Sequence, residues 1–280
     1  MLRPELDKTI VVHSCNRWED FIVAVRKTLD KRIGRRIYRG QRDPTWPLSS
    51  VFERSVFHLK GNDPSTDVDK ALETKGGLWK TREGYWDRFY EYAHGLPGLP
   101  NAMSPEDWWI LGRHHGLVTP LLDWSESPYI AAFFALTDYM EFMNPGFKLG
   151  MPTGGIKWGE GSIAIWELVE AGGMGSRNEE FQIIRPATEF SVHSLRVRAQ
   201  KSVFTKLIHD VHLDLESYLG SRDLIACLER YDIPGVEAAK ALRDLELMNI
   251  TFSDLFPDLG GAAARANFGS SSWHLVGGML

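Results

Sequence analysis

The segment Tyr38-Arg39-Gly40-Gln41 combines a guanidinium with a glycine. Arginine offers planar, bidentate hydrogen-bond donors that suit phosphate or carboxylate groups. The glycine would let the backbone and the guanidinium approach a ligand together. A surface salt bridge would explain the same arginine, so a functional interpretation depends on what else converges on it.

A second segment, from Arg113 to Pro128, is dense in polar side chains yet lies between two of the most apolar stretches of the chain. Polar groups held in such surroundings must be hydrogen-bonded, or they cost free energy. A helix is predicted to begin at Pro128, and a helix amino end binds anions readily. Asp123, Ser125 and Ser127 also fit as capping residues, Ser127 best because it precedes Pro128.

His114 and His115 are neighbours, and adjacent residues on a helix point about 100° apart, which suits a shared metal ion poorly. We expect no metal, and one histidine as a hydrogen-bonding group. A third polar element is the basic segment 196–205, in which Gln200 precedes a predicted strand; a solvated strand edge explains it equally well. Sequence motifs of P-loop NTPases, Rossmann dehydrogenases, α/β-hydrolases and zincin proteases are absent.

Composition places the chain among ordinary globular proteins. Of its 280 residues 43% are hydrophobic, and the net charge of −5 argues against a general nucleic-acid binder. Cys15 and Cys227 are isolated and are expected to be reduced. No secretory signal is recognised and no run reaches the ~18 apolar residues of a membrane helix, so we expect a cytoplasmic protein without a membrane partner.

The elements that must position these groups are predicted from periodicity and capping signals. Predicted helices cover 17–31, with a capping box at Asn16 and Glu19, then 78–94, a helix from Ser104 to about Gly116, 128–143, 216–230 and 234–248. Predicted strands cover 36–38, 162–169, 180–184, 189–193 and 202–209. Polar or turn-rich stretches are predicted at 60–77, 117–124 and 144–160, and a loose tail from Gly260.

Helices come first, strands collect in the middle and helices finish the chain, which favours an α+β fold over a doubly wound sheet. We predict a single domain with a small mixed or antiparallel sheet flanked by N- and C-terminal helices. Its parts would be an N-terminal helical segment (1–35), the main domain (36–260) and a C-terminal tail (261–280).

Four motifs in order resemble the FRG-domain family. They are Tyr38–Gln41 with Trp46-Pro47-Leu48, the segment 114–128, Arg198–Thr205, and Leu255-Phe256-Pro257-Asp258-Leu259. Two positions depart from the family pattern: Pro120 stands where arginine is usual, and Ser202 where glycine is usual. The resemblance implies a component of bacterial or phage conflict systems, with an antitoxin or defence-system partner.

More loosely, the layout resembles ADP-ribosyltransferases, which implies NAD as the cofactor and a nucleic-acid or protein target. By that resemblance Arg39 would hold the pyrophosphate or ribose, His115 or Asp123 would orient the reacting sugar, and Glu189 or Gln200 would supply the last polar group. A carboxylate would stabilise an oxocarbenium-like state. The implied NAD contacts are Tyr38, Arg39, Gly40, Gln41, His114, Thr119, Trp124, Ser125 and Ser127.

Two alternatives remain open. One is a non-catalytic nucleotide-sensing or protein-binding module, which would bind without turnover. The other is a nuclease or hydrolase in which His114, His115 and Asp123 perform acid–base chemistry.

Overall fold

The computed structural model describes residues 10–31, 34–55, 77–99, 103–143, 159–170, 180–187, 190, 194–208 and 214–276. Its strands are β1 (Val11–Ser14), β2 (Arg36–Gln41), β3 (Leu121–Ser125), β4 (Ser162–Val169), β5 (Phe181–Ile184), β6 (Ser202–Leu207) and β7 (Leu228–Pro234). Its main helices are α1 (Trp18–Lys31), α2 (Gly77–Ala93), α3 (Pro105–His114), α4 (Pro128–Met143), α5 (Leu195–Ala199), α6 (Leu215–Ser221), α7 (Ala238–Leu247), α8 (Phe252–Leu255) and α9 (Leu259–Val276). Residues 51–55 are also helical.

All seven strands form one mixed sheet in the order β1-β7-β4-β2-β3-β6-β5. The β1–β7 pair is parallel and the other pairs are antiparallel. β2 and β3 therefore lie at the centre of the sheet, although they are far apart in the chain. The predicted α+β class is confirmed, and the sheet is larger than the small one expected.

Alternation along the strands divides the core between the two faces of the sheet. One face packs against α1, α4 and α7, and Tyr38 and Tyr231 point into that layer. The other face carries Ile37, Trp124 and Trp166 and packs against α6. A smaller cluster joins α3 to the β3–β6 end of the sheet. Because both faces are largely covered, most polar side chains on the central strands have to find their partners within the protein.

Several predicted elements are confirmed nearly to the residue. α1, α2, α4, β4 and β5 match their predicted ranges within one residue. α3 has the predicted cap: the Ser104 hydroxyl accepts from the Asp107 N–H (3.1 Å), and the Asp107 carboxylate accepts from the Ser104 N–H (3.2 Å). The capping box predicted at Asn16 and Glu19 is wrong in its second member, since Asp20 accepts from the N–H groups of Asn16 and Arg17.

Other predictions are wrong where tertiary pairing decides the conformation. The segment 117–124 is turn-rich in sequence, yet Leu121–Ser125 is a central strand, and the strand expected at 36–38 continues to Gln41. The helix expected over 216–230 ends at Ser221, because Leu228–Pro234 pairs with both β1 and β4. A short apolar stretch between two partner strands gains more from ladder hydrogen bonds than from a helical turn.

The two ends of the described chain also differ from expectation. Val11–Ser14 pairs with β7, so strand structure precedes the helix of the 1–35 segment. Leu259–Val276 is helical in place of the expected loose tail. Most of the stretches predicted at 60–77, 144–160 and 189–193 lies outside the described residues. No helix among the described residues is long and apolar enough to cross a bilayer.

Candidate functional site

The site is built where β2 and β3 stop pairing. The two strands share a single register pair, Tyr38 with Ser125, and beyond it the Arg39 side chain spans the space between them. Arg39 Nη1 donates to the backbone oxygen of Asp123 at 2.8 Å and lies 3.9 Å from the Asp123 carboxylate. The expected convergence of Arg39 and the Asp123 segment is therefore present, with Arg39 directed away from bulk solvent.

A second arginine, Arg113, makes the closest contacts to the Asp123 carboxylate. From the last turn of α3 its Nε lies 3.2 Å from both carboxylate oxygens, and its Nη2 lies 2.8 Å from Oδ2. Such forked pairs are among the strongest hydrogen-bonded ion pairs in proteins. The Asp123 side chain is nevertheless 39% exposed, so the pair faces solvent.

A third arginine, Arg54, approaches from the helical segment 51–55. Its Nη1 donates to the backbone oxygen of Ser49 (2.8 Å), and the N–H of Phe52 donates to the backbone oxygen of Thr119 (3.3 Å). Thr119 lies two residues before β3, so this contact fixes the segment beside the strand that carries Asp123. We call Arg39, Arg54, Arg113 and Asp123 the arginine cleft.

The charges of the arginine cleft act on one another. Desolvation would raise the pKa of Asp123, but Arg113 and then Arg39 outweigh it and hold that pKa below its usual value. Burial lowers the pKa of Arg39 to about 10, with Asp123 opposing this change and Arg54 and Arg113 adding to it. Desolvation and the charge of Arg113 likewise lower the pKa of Arg54. All three guanidiniums stay protonated at neutral pH, against one ionised carboxylate.

The other acid that acts on Arg39 is Glu216, but it does not neutralise the excess positive charge of the cleft. Its carboxylate accepts from the Leu48 N–H at 2.9 and 3.0 Å, but burial, and then the charge of Asp214, raise its pKa to about 8. A carboxyl group with that pKa is mostly protonated at pH 7. The arginine cleft is consequently positive although the whole chain carries a net charge of −5.

Three buried polar atoms in and around the cleft have no hydrogen-bond partner among the described residues. They are Arg39 Nε, His114 Nε2 and Thr119 Oγ1. Buried donors without partners are rare and costly in native proteins, and they often mark a position that a ligand or water fills. The Arg39 Nε–H is the most informative of the three, since the same guanidinium is bonded to Asp123 through Nη1.

Two of the backbone donors next to the amino end of α4 are used within the protein. The Glu126 N–H donates to the Lys201 backbone oxygen (3.0 Å), and the Ser127 N–H donates to the Ser125 hydroxyl (3.1 Å). The Ser127 hydroxyl accepts from Ile130 at 3.4 Å, which is a capping contact. The positive charge of this site therefore comes mainly from the arginine side chains.

Three of the expected ligand contacts on β2 and β3 have partners or packing inside the protein. The Tyr38 side chain is 2% exposed and lies in the core layer under α4. The Gln41 amide bonds Trp166 Nε1 (2.8 Å) and the Pro47 oxygen (3.2 Å), and Trp124 Nε1 donates to the Thr205 hydroxyl (2.9 Å).

The role expected of Gly40 also changes, because a Cβ there would lie 2.0 Å from the Ala131 backbone oxygen. Gly40 lets α4 pack directly on β2; it does not open a path for a ligand.

The remaining expected residues are not drawn into the cleft together. The Gln200 side chain donates to the Leu255 oxygen (3.1 Å), and its backbone oxygen accepts from the Ser125 hydroxyl (2.8 Å). His115 is exposed at the end of α3, whereas the His114 ring packs edge-on against Phe204.

Glu189 lies outside the described residues. Among the described residues, no group of three or more histidine, cysteine, aspartate or glutamate side chains could hold a metal ion.

Arg54 and Arg113 are not among the site residues expected from sequence. Arg113 has an available signal, since it stands in the last turn of a well-capped helix that leads into the polar segment. Arg54 has none, because its place depends on the Phe52–Thr119 and Ser49 contacts of a short helical segment.

We expect His114 to make stability depend on pH. Burial lowers its pKa to about 4, with Asp123 opposing this effect and Arg196, His115 and Arg113 adding to it. The unfolded chain takes up a proton near pH 6.5 that the folded protein does not, so stability falls as pH drops from about 6.5 towards 4. Between pH 7.5 and pH 5 the His114 term should be at most roughly 2 kcal/mol.

The measurement is urea unfolding of wild type and His114→Gln across that pH range. The variant should lose the His114 term, so its stability relative to wild type should rise as pH falls. The other titrating groups are common to both proteins and cancel in the difference. A stability difference that is constant from pH 7.5 to pH 5 would show that the ring is not held neutral.

The fold and the site together define an α+β protein with an arginine cluster where two central strands diverge. The family model of the FRG domain matches residues 34–143, and the predicted resemblance is confirmed over that segment. The matched segment contains Arg39, Arg54, Arg113 and Asp123, while the motifs at 198–205 and 255–259 lie beyond it. No curated protein and no solved structure matches the chain.

Proposed function

We propose that the arginine cleft binds the pyrophosphate of a nucleotide, with NAD as the ligand, and that the protein is an ADP-ribosyltransferase-like effector. The observation that carries the proposal is the unpartnered, buried Arg39 Nε–H in a site where three guanidiniums surround one ionised carboxylate. Arginine is the side chain best suited to planar recognition of phosphate oxygens.

The residues of the cleft fit that ligand in distinct ways. Arg39 is rigidly oriented through its Asp123 contact, so little conformational entropy would be lost when its Nε–H binds an oxygen. Arg54 reaches the protein surface, although its surroundings partly desolvate its guanidinium, and it would meet a ligand at the rim. Asp123 holds Arg39 and Arg113 in place and prevents an empty cleft from carrying three uncompensated charges.

In the proposed reaction the bound NAD supplies the ADP-ribosyl group, and the protein's part is to bind, orient and exclude water. Asp123, ionised at neutral pH, is the carboxylate of the cleft that could stabilise positive charge on a reacting sugar. The target would be a nucleic acid or a protein, and a cytoplasmic toxin or phage-defence role follows from the FRG resemblance as part of the same proposal.

A non-catalytic nucleotide-binding module is the second candidate, and two observations favour it. The Asp123 carboxylate is already bonded by the fork of Arg113, and the Gln200 side chain is turned to the Leu255 oxygen. A sensing module would bind the same nucleotide through the same arginines and leave it intact.

The two candidates are separated by incubating the protein with NAD labelled on the adenylate, in the presence of total cell lysate. Wild type should release nicotinamide and transfer label, and Arg39→Ala should lose both activities. Arg35→Ala is the matched control, because Arg35 lies one residue before the same strand and is exposed. Tight binding with neither release nor transfer would select the sensing module, and absence of any NAD binding would exclude both.

A further inference from the structure

A buried ion pair lies next to the arginine cleft and takes no part in the contacts described so far. Arg82 Nη2 on α2 is 2.8 Å from the Glu53 carboxylate in the helical segment 51–55. The two side chains are 1% and 3% exposed, so water screens their attraction very little. A pair held this way fixes the distance between the two elements that carry it.

The pair is anchored on several sides. Arg82 Nη1 also lies 3.1 Å from the Leu207 backbone oxygen and 3.3 Å from that of Ile208, at the end of β6. The Arg82 guanidinium stacks over the Phe52 ring at 5.2 Å. The Glu53 carboxylate accepts from both the N–H and the hydroxyl of Ser50. The start of the 51–55 segment is thereby fixed to α2 and to the central sheet.

The residue after Glu53 is Arg54 of the arginine cleft. A five-residue helical segment cannot hold its own geometry in water, so external contacts decide where Arg54 lies. Those contacts include the Glu53–Arg82 pair, the Phe52–Thr119 hydrogen bond and the edge-on packing of the buried Phe52 ring against Tyr85. The Glu53–Arg82 pair is the one that acts on the residue next to Arg54.

Stability is a poor explanation for burying this pair. Replacing a buried ion pair by well-packed apolar side chains is often neutral or stabilising, so a gain in stability does not by itself explain why the pair is buried. Here the specified geometry is the orientation of the segment that presents Arg54.

We propose that Glu53 and Arg82 are positioning residues that hold Arg54 at the rim of the arginine cleft, and that they affect nucleotide binding only through Arg54. The nucleotide part of this inference depends on the proposed function. The positioning part concerns the protein without a ligand and is measured separately.

The first measurement is a double-mutant cycle of NAD affinity with Glu53→Gln, Arg54→Ala and the double variant. Arg54→Ala should weaken binding about tenfold, the value of one charge-assisted contact. Glu53→Gln should weaken binding several-fold in the wild-type background and have no effect in the Arg54→Ala background. An equal loss in both backgrounds would show a general structural effect and overturn the inference.

The second measurement needs no ligand: amide hydrogen exchange of Phe52 and Arg54. Glu53→Gln should speed exchange at both amides by at least about tenfold, and Arg82→Lys, which keeps the charge but not the fork, should do the same. Ser55→Ala is the control, because it removes a hydroxyl contact to the Val51 oxygen on the same segment without touching the pair. Unchanged exchange in the Glu53 and Arg82 variants would overturn the positioning role. If wild type binds no NAD while exchange responds as expected, the proposed ligand is wrong and the positioning stands.

Discussion

Arg39→Ala should raise the Kd for NAD roughly 30- to 150-fold, which corresponds to about 2–3 kcal/mol. The loss is expected to be large because Arg39 supplies the buried donor that has no partner among the described residues, and because Asp123 holds that guanidinium in one orientation. Arg39→Lys should recover only part of the affinity, since an ammonium keeps the charge and loses the planar fork. Isothermal titration calorimetry at fixed ionic strength gives the Kd for NAD of wild type, Arg39→Ala and Arg39→Lys.

Two controls distinguish a loss of binding from a loss of folding. Arg35→Ala should bind NAD as wild type does, because Arg35 is exposed and its backbone oxygen, not its side chain, accepts the Glu170 N–H. The thermal midpoint of Arg39→Ala should be measured as well, since Asp123 retains its Arg113 partner and the fold should persist. A folded Arg39→Ala protein with wild-type affinity would remove Arg39 from the binding site.

Gly40→Ala should destabilise the protein by about 3 kcal/mol or more. The new Cβ would lie 2.0 Å from the Ala131 backbone oxygen and 2.9 Å from the Ala135 Cβ, and neither is the flexible end of a long side chain. α4 would have to move off β2, which breaks packing across the core layer that contains Tyr38. Chemical denaturation should show a lower midpoint, or the variant should fail to fold when expressed.

Gly84→Ala provides the matched control for that experiment. Gly84 lies inside α2, and the nearest atom to a methyl group added there is the mobile end of Arg88 at 3.6 Å. Alanine at this position should stabilise the protein by up to about 1 kcal/mol, because the helix gains propensity and the unfolded chain loses freedom. A Gly40→Ala protein as stable as wild type would mean that α4 does not rest on β2.

Local signals in the sequence are sufficient for the helices and for part of the sheet. The cap at Ser104, the apolar run of α4 and the apolar run of β4 each reflect residues within a few positions of one another. Leu121–Ser125 and Leu228–Pro234 cannot be recognised in the same way. Their conformation comes from strands distant in sequence, β6 for the first and β1 and β4 for the second.

The site also has one part that local sequence signals predict and one part that depends on contacts between distant residues. The meeting of Arg39 with the Asp123 segment follows from residue types and from the cost of burying polar groups. The arginine source of the positive charge could not be predicted in this way, because Arg54 and Arg113 reach the cleft through contacts between distant parts of the chain. Arg113 reaches Asp123 only because α3 and β3 pack together.

Gly40 is expected from the sequence to matter for ligand access, whereas its role is structural. Its position beside Arg39 suggests a path for a ligand, but strand alternation turns the two residues to opposite faces. The glycine accommodates α4, and the arginine serves the cleft. The pair is therefore a structural residue next to a site residue, and the two should respond to substitution in different assays.

The most direct measurement is a crystal structure of the protein with NAD bound. We predict that the pyrophosphate lies within hydrogen-bonding distance of Arg39 Nε, with Arg54 or Arg113 on a neighbouring phosphate oxygen and the Asp123–Arg113 fork intact. NAD bound elsewhere on the protein, with Arg39 Nε still without a partner, would contradict the proposed site.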